Sequence, residues 1–427
     1  MRLVYSFRTT EHLKELLELC RVSNNLYNQA LYAVKQSLKN DDRFLFYGDL
    51  DGIMKETYNL EGTVNYRLLK AQVAQQCLKQ LDSAVKGYIR SIKDWSKNRD
   101  KYTGKPEFPK FRKKSGYNVI TYPNQSCTIK DGRIRLSKEL SLRIPQWDEM
   151  KDRLTGFQQV RIVPKTDGTV KVEVIYLAED MAHEGLDASR YASIDIGVNN
   201  LATLVTSEGE RPLLFNGRPL KSVNQWYNKN LARIKHEVMT KNGAYSSKMT
   251  RRMSAKRENR MNDYMHKVSR QIVNYLLRNK VGTLILGYNE QWKDSIDMGK
   301  VNIQSFAYIP FHRFKSMLSY KCSMAGIRFV VTEESYTSKC DFLAGEEVCR
   351  HDSYLGRRTR RGLFVSSTRL ALNADVNGAY NIMRKVIGES LDIQRIADRG
   401  RLFRPVKYRT PDMRTCSDDS VAKAYIS

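Results

Sequence analysis

Three stretches place carboxylates where a strand or a helix ends. Asp195 lies in SIDIG, between Ile194 and Ile196. A carboxylate inside an apolar run is costly unless it is paired or bound to a cation. Gly197 and the Asn199-Asn200 pair follow, so the chain turns there and presents Asp195 at a strand end. Asp375 stands in NADVNGAYNI at the start of a helical pattern, where capping the helix is the ordinary role of an Asp. Glu333 and Glu334 close the strand-like run GIRFVVTEE. Side chains alternate along a strand, so only one of the two faces a given side. Carboxylates at strand and helix ends are the ligands that two-metal phosphodiester hydrolysis requires. Mg²⁺ takes hard oxygen ligands, and two ions roughly 4 Å apart activate the attacking water and stabilise the leaving oxygen. Whether these carboxylates converge is decided by tertiary structure.

The chain around them has 427 residues, which suggests two to four domains. Lys and Arg number 73 against 46 Asp and Glu, a net charge of +27. Such an excess repels itself in a compact fold unless a polyanion neutralises it. Basic charge spread over several segments fits nucleic acid better than a membrane patch. The plainer reading is a soluble basic protein with no such partner. Seven scattered cysteines give no disulfide framework and point to a reducing compartment. No apolar run approaches the ~18 residues of a membrane span, so a cytoplasmic, nucleoid-associated protein with no membrane partner is expected; a monomer is favoured, with the oligomeric state left open.

The elements that must position the carboxylates read as follows. Residues 2–8 alternate as a strand, and Thr9 and Thr10 offer a helix cap. Helical spacing starts at Leu13 and is interrupted by polar Asn24; a second helix is predicted over 67–95. Residues 11–100 are thus a helical lobe inserted after one strand. TGKPEFPKFRKKSG (103–116) is a basic, aromatic break. Strands return over 117–180, with hairpin turns at Asp131-Gly132 and Asp167-Gly168. They make a small β-rich domain, expected to be a barrel completed by residues 2–8. From 191 the pattern is α/β. Residues 220–280 read as a helical hairpin whose basic outer face, including KMTRRMSAKRENR, tracks phosphates. VGTLILGY (281–288) is a buried strand, and the polar tail after 390 is expected to be partly disordered.

At the carboxylates the sequence becomes recognisable. SIDIGVNNLATLV resembles the first RuvC motif of the TnpB family, the transposon-encoded relatives of type V CRISPR effectors. YTSKC resembles, one residue short, the TS-x-x-C that opens their zinc-binding insert, and NADVNGAYNIMRK resembles their third RuvC motif. The resemblance spans roughly residues 1–388 and also takes in PEFPKFRKK. It implies a multidomain α+β chain. Residues 1–10 and 101–185 would form a wedge-type β-barrel, 11–100 an inserted helical recognition lobe, and 186–338 with 369–390 an RNase H-like α/β RuvC nuclease domain. Residues 339–368 would be a zinc-ribbon-like insert and 391–427 the tail. The implied activity is cleavage of target double-stranded DNA directed by a guide RNA, with Asp195, Glu334 and Asp375 as catalytic residues and metal ligands for two Mg²⁺ ions.

Two departures stand out. The family's second RuvC motif normally ends a strand with Glu, and Gly287 stands there. Some TnpB and eukaryotic Fanzor proteins resemble this case, with the glutamate moved to the next strand before the TS motif. Glu334 fits that position, with Glu333 its rival and Glu290 a weaker one. If none reaches the metals, the chain would be a nuclease-inactive RNA-guided DNA-binding repressor; a CRISPR-associated effector of the same architecture is the other alternative. A zinc ribbon also wants two C-x-x-C pairs. Here Cys340 is followed by Asp341, Phe342 and Leu343, and VSST (365–368) replaces the later pair. Cys349 and His351 have the wrong spacing, so zinc is not expected, and Phe342, Leu343, Leu363 and Phe364 would hold the insert instead.

Overall fold

The computed structural model describes residues 2–165, 167–178, 185–242, 247–289, 309–360 and 362–408. They divide into two compact units, 1–179 and 180–427.

The first unit opens with β1 (Arg2–Thr9), α1 (Leu13–Asp41), α2 (Tyr47–Met54) and α3 (Ala71–Lys97). It continues through β2 (Ile120–Pro123), β3 (Thr128–Lys130), β4 (Arg133–Arg135), β5 (Ser141–Arg143), the short α4 (Trp147–Met150), β6 (Phe157–Pro164) and β7 (Val170–Leu177). The apolar stripe of α1 (Leu16, Leu26, Leu31) and that of α3 (Val73, Leu81, Val85) share one core with the inward residues Ile120, Val160, Ile162, Val172 and Val174 of the sheet. The strands form two sheets, β1-β7-β6-β2 and β3-β4-β5. Among the described residues the first sheet keeps β1 and β2 as edges, so hydrogen bonding does not close the expected barrel. Asp131 and Gly132 join β3 to β4 with φ of 51° and 71°, the positive pair a tight hairpin needs.

Two local expectations change. The helix α1 begins after His12, which is left-handed (φ 50°) and gives no side-chain cap; Thr9 Oγ1 instead accepts from the Glu11 N–H. The helix expected from residue 67 starts at Ala71, because 66–69 form a turn closed on Val64 and Tyr66. The polar break in the α1 stripe has a use. Asn24 Nδ2 donates to the Lys113 carbonyl, and Asn28 exchanges two hydrogen bonds with the backbone of Arg112. One turn apart, these amides lay the basic 108–114 segment along the helix.

The second unit runs β8 (Asp187–Asp195), β9 (Asn200–Thr206), β10 (Leu213–Asn216), α5 (Arg218–Asn242), α6 (Lys248–Arg278), β11 (Val281–Gly287), α7 (Phe311–Met324) and β12 (Arg328–Thr332). Then come β13 (Arg357–Arg360), β14 (Leu363–Val365), β15 (Ala371–Asn373), α8 (Ala374–Ile387), α9 (Ile393–Asp398) and β16 (Val406–Tyr408). Its main sheet has the order β12-β11-β8-β9-β10-β16. β8, β9 and β10 are an antiparallel meander, and β11 and β12 are added in parallel beside β8. Both faces are covered, which is why β9 and β11 read as continuous apolar runs. Leu284 and Leu286 face a core with Met265, Val268, Ile272 and Phe314, while Ile285 faces a second core with Val376, Tyr380 and Ile382. The alternation along one strand thus seats α6 and α7 on one side and α8 on the other.

Over 391–408 the tail packs against the rest of the unit. Leu391, Ile396 and Leu402 are buried in the second core, and β16 pairs in parallel with β10. Arg395 and Arg401 pair with Glu208 and Glu210. The few apolar residues are spaced to enter the core, and this outweighs the polar composition. Residues 409–427 lie outside the described residues.

Candidate active site

Asp195 is the last residue of β8 and pairs in register with Thr203 of β9. Beside it, Leu286 is in register with Ile194, and Gly287 with Thr332 on β12. Two residues beyond Thr332 the chain reaches Glu334, so the ends of β8, β11 and β12 meet along one edge. The helix α8 crosses this edge: Ser193 Oγ donates to the Ala379 carbonyl at 2.6 Å. A Cβ at Gly378 would lie 3.1 Å from Asp195 Oδ2, so the missing side chain lets the helix approach the carboxylate.

Asp375 is not the cap of α8. Asn373 takes that role, its Oδ1 accepting from the N–H groups of Asp375 and Val376 at 2.9 and 3.2 Å. The Asp375 carboxylate is therefore left in the first helical turn, where the helix dipole favours negative charge. It accepts from Asn200 Nδ2 at 2.8 Å, and Arg358 of β13 stands 4.0 Å away.

Gly287 and Glu334 explain each other. A Cβ at 287 would overlap Ile382 Cδ1 and stand 3.4 Å from Glu334 Oε2. The space a residue-287 side chain would enter is filled by α8 and the Glu334 carboxylate. Glu333, by contrast, is exposed. Its carboxylate accepts from Ser335 Oγ, and its carbonyl accepts from Lys385 Nζ at 3.1 Å. Glu290 lies outside the described residues.

The electrostatics mark a shared field. Burial, and then the negative charges of Asp375 and Glu334, push the Asp195 carboxyl well above the usual carboxylate range, with Arg358 opposing. Burial raises Glu334 to about 7 against the pull of Lys385, with Glu333 adding to the rise. Glu334 Oε2 is buried with no hydrogen-bond partner. A buried acceptor left unsatisfied costs about 1–3 kcal/mol, more if charged. Among the described residues, no three His, Cys, Asp or Glu side chains are closed to metal-ligand spacing. Like charges on separate elements repel, and a cation between them reverses that sign. The oxygen-only donors and the orphaned Glu334 oxygen fit a hard divalent ion such as Mg²⁺.

Arg358, Asn373 and Gly378 were not singled out by the sequence reading, and Asn200 was read only as part of a turn. Arg358 sits in the run RRTRR, which carries no periodicity to separate it from a solvated loop. In the insert, Cys349 Sγ lies 3.3 Å from His351 Nε2, and Cys340 Sγ contacts the Cys349 carbonyl at 3.6 Å. Phe342 and Phe364 are buried as expected, Phe342 stacking on Tyr380 at 4.4 Å.

The chain is similar to several known proteins. Residues 170–293 match the OrfB_IS605 family, described as "Probable transposase", and 311–382 match the Cas12f1-like TNB domain. InsQ of Escherichia coli (strain K12), to which an RNA-guided DNA endonuclease activity is ascribed, is 22% identical over 84% of this chain and 85% of its own. The TnpB-like protein ORF457 of Acidianus two-tailed virus is 25% identical over 47% of this chain and 42% of its own. Among solved structures, Cas12f1 in a cryo-EM complex with sgRNA and target DNA aligns with a TM-score of 0.50 at 15% identity, covering 88% of this chain and 83% of that one. That likeness speaks for the fold, a multidomain α+β architecture of the Cas12f type.

Proposed function

We propose that the chain is a TnpB-family protein, an RNA-guided DNA endonuclease that hydrolyses target DNA with divalent metal ions, a reading supported by the two family matches and the similarity to InsQ. The observation that carries this reading is the meeting of Asp195, Glu334 and Asp375 in one field, with a buried Glu334 oxygen that no protein donor satisfies. Two Mg²⁺ ions held there would polarise the phosphodiester and make water nucleophilic at neutral pH. The chain's own groups set the stage. Asn373 caps α8 and so frees Asp375, and Asn200 orients it. Arg358, close to Asp375, supplies a cation for a phosphate arriving beside the carboxylates.

Guide RNA and target DNA are the partners that a net charge of +27 suits. On the α5–α6 hairpin, Trp226 is 40% exposed. Lys256 and Arg260 each stand 5.9 Å from its ring, and Arg257 is 5.1 Å from the Tyr227 ring. Aromatic faces among cations suit stacked bases and their phosphates.

The test is cleavage of a plasmid with a randomised flank by protein co-expressed with its downstream RNA. Wild type, Asp195→Ala, Glu333→Ala and Glu334→Ala are compared with and without Mg²⁺. Mg²⁺-dependent cutting that is lost in Asp195→Ala and Glu334→Ala but kept in Glu333→Ala supports the assignment. Loss in Glu333→Ala with retention in Glu334→Ala moves the third ligand by one residue. Guided binding without cutting by wild type makes the chain a nuclease-inactive binder.

A further inference from the structure

We propose that the 339–368 insert folds without zinc, two buried carboxylates doing by hydrogen bonding what the metal does in a zinc ribbon. A ribbon's zinc ties two loops, each bringing a pair of thiolates. Here the first loop brings one thiol, Cys340, and the second brings Ser366 and Ser367. Hydroxyls are poor zinc ligands, and these are already engaged. Asp341, next to Cys340, is fully buried. Its Oδ2 accepts from Ser366 Oγ at 2.8 Å, from the Ser367 N–H at 2.7 Å and from Ser367 Oγ at 3.2 Å. Its Oδ1 accepts from the Ala344 N–H at 3.3 Å. The two loops are therefore joined through this one carboxylate.

A second carboxylate extends the knot. Glu346, also buried, accepts from the Asp341 N–H at 2.6 Å and from the Leu355 N–H at 2.9 Å. It thereby fixes the chain just before β13. A buried carboxylate is tolerable when several donors converge on it, and six contacts of this kind close the insert. The remaining thiol, Cys349, contacts the His351 imidazole, which also meets the Glu347 carbonyl, while Cys340 Sγ contacts the Cys349 carbonyl. The knot is bolted to the helix that carries Asp375. Asn377 Nδ2 donates to the Cys340 carbonyl at 2.8 Å, Asn381 Nδ2 to the Thr337 and Cys340 carbonyls at 2.9 and 2.7 Å, and Arg384 to the Glu346 carbonyl at 2.7 Å. The hairpin β13–β14, which brings Arg358 to Asp375, starts from this anchored base.

The inference is independent of the nuclease reading and is tested on the full chain with its RNA, expressed in zinc-supplemented medium. Zinc per chain is measured, and thermal unfolding is followed with excess Mg²⁺, with and without a zinc-selective chelator. The expected result is far less than one zinc per chain and a melting curve that the chelator leaves unchanged. One zinc per chain, or a melting loss on chelation that added zinc restores, overturns the proposal. Asp341→Asn and Cys349→Ser are then compared. Asp341→Asn presents an amide N–H₂ to groups that themselves donate, and should melt several degrees lower; Cys349→Ser should melt like wild type. The opposite ranking also overturns the proposal. If Asp341→Asn yields no folded protein, the zinc content and chelator response of the wild type still decide.

Discussion

Replacing Glu334 with glutamine should make the metal-free protein more stable while abolishing cleavage. The carboxyl is raised from 4.5 to about 7, chiefly by burial. At 1.36 kcal/mol per pH unit, this corresponds to about 3 kcal/mol of strain in the folded, ionised state at neutral pH. Glu334 is half-buried, so solvent screening reduces the sum; about half of it is a fair expectation. The sign follows from proton linkage. The folded state binds this proton more tightly than the unfolded state. Stability is therefore fully present below pH 4.5 and is lost as pH rises through about 7. Glutamine does not titrate and fills the same volume. Thermal melts in EDTA should show wild type and Glu334→Gln together near pH 4.5. By pH 7.5 the variant should lie higher by roughly 3–6 °C, at roughly 2–4 °C per kcal/mol for a body of this size. Mg²⁺ should raise the wild type toward the variant by binding the folded state. Exposed Glu333, as Glu333→Gln, should show no such gap. A Glu334→Gln protein that melts below wild type at pH 7.5 in EDTA, or a gap that does not vary with pH, would refute the reasoning.

Two further outcomes follow from the same edge of the sheet. Gly287→Ala should cost about 1–3 kcal/mol through overlap with Ile382. In urea unfolding, Gly287→Ala with Ile382→Ala should cost less than the sum of the single changes; simple additivity would show that the two do not touch. Arg358→Ala removes a cation that opposes the rise of Asp195. The acid limb of the cleavage profile should move to higher pH, with a larger loss at pH 7 than at pH 8.5, and a uniform loss at all pH values would assign Arg358 no such role.

Much of this molecule was legible in its residues. Asp195 stood out because an Asp between two isoleucines contradicts its own surroundings. The continuous run VGTLILG announced a strand covered on both faces, and the structure seats helices there. Gly287 was visible as a departure because it stands where a carboxylate is expected. What stayed hidden depended on partners distant in the chain. Asp375 looked like a helix cap, and only the position of Asn373 shows that the capping bonds are already supplied. Glu333 and Glu334 are indistinguishable in type and differ by one step of the backbone; only the fold shows that Glu334 packs beside Gly287 while Glu333 stays exposed. Asp341 read as an interruption of a metal motif until its donors, some 25 residues downstream, came into view. Composition and periodicity report what each segment prefers to bury, which local chemistry dictates. Which carboxylates face one another depends on how separate elements cross, and the sequence records that only through packing.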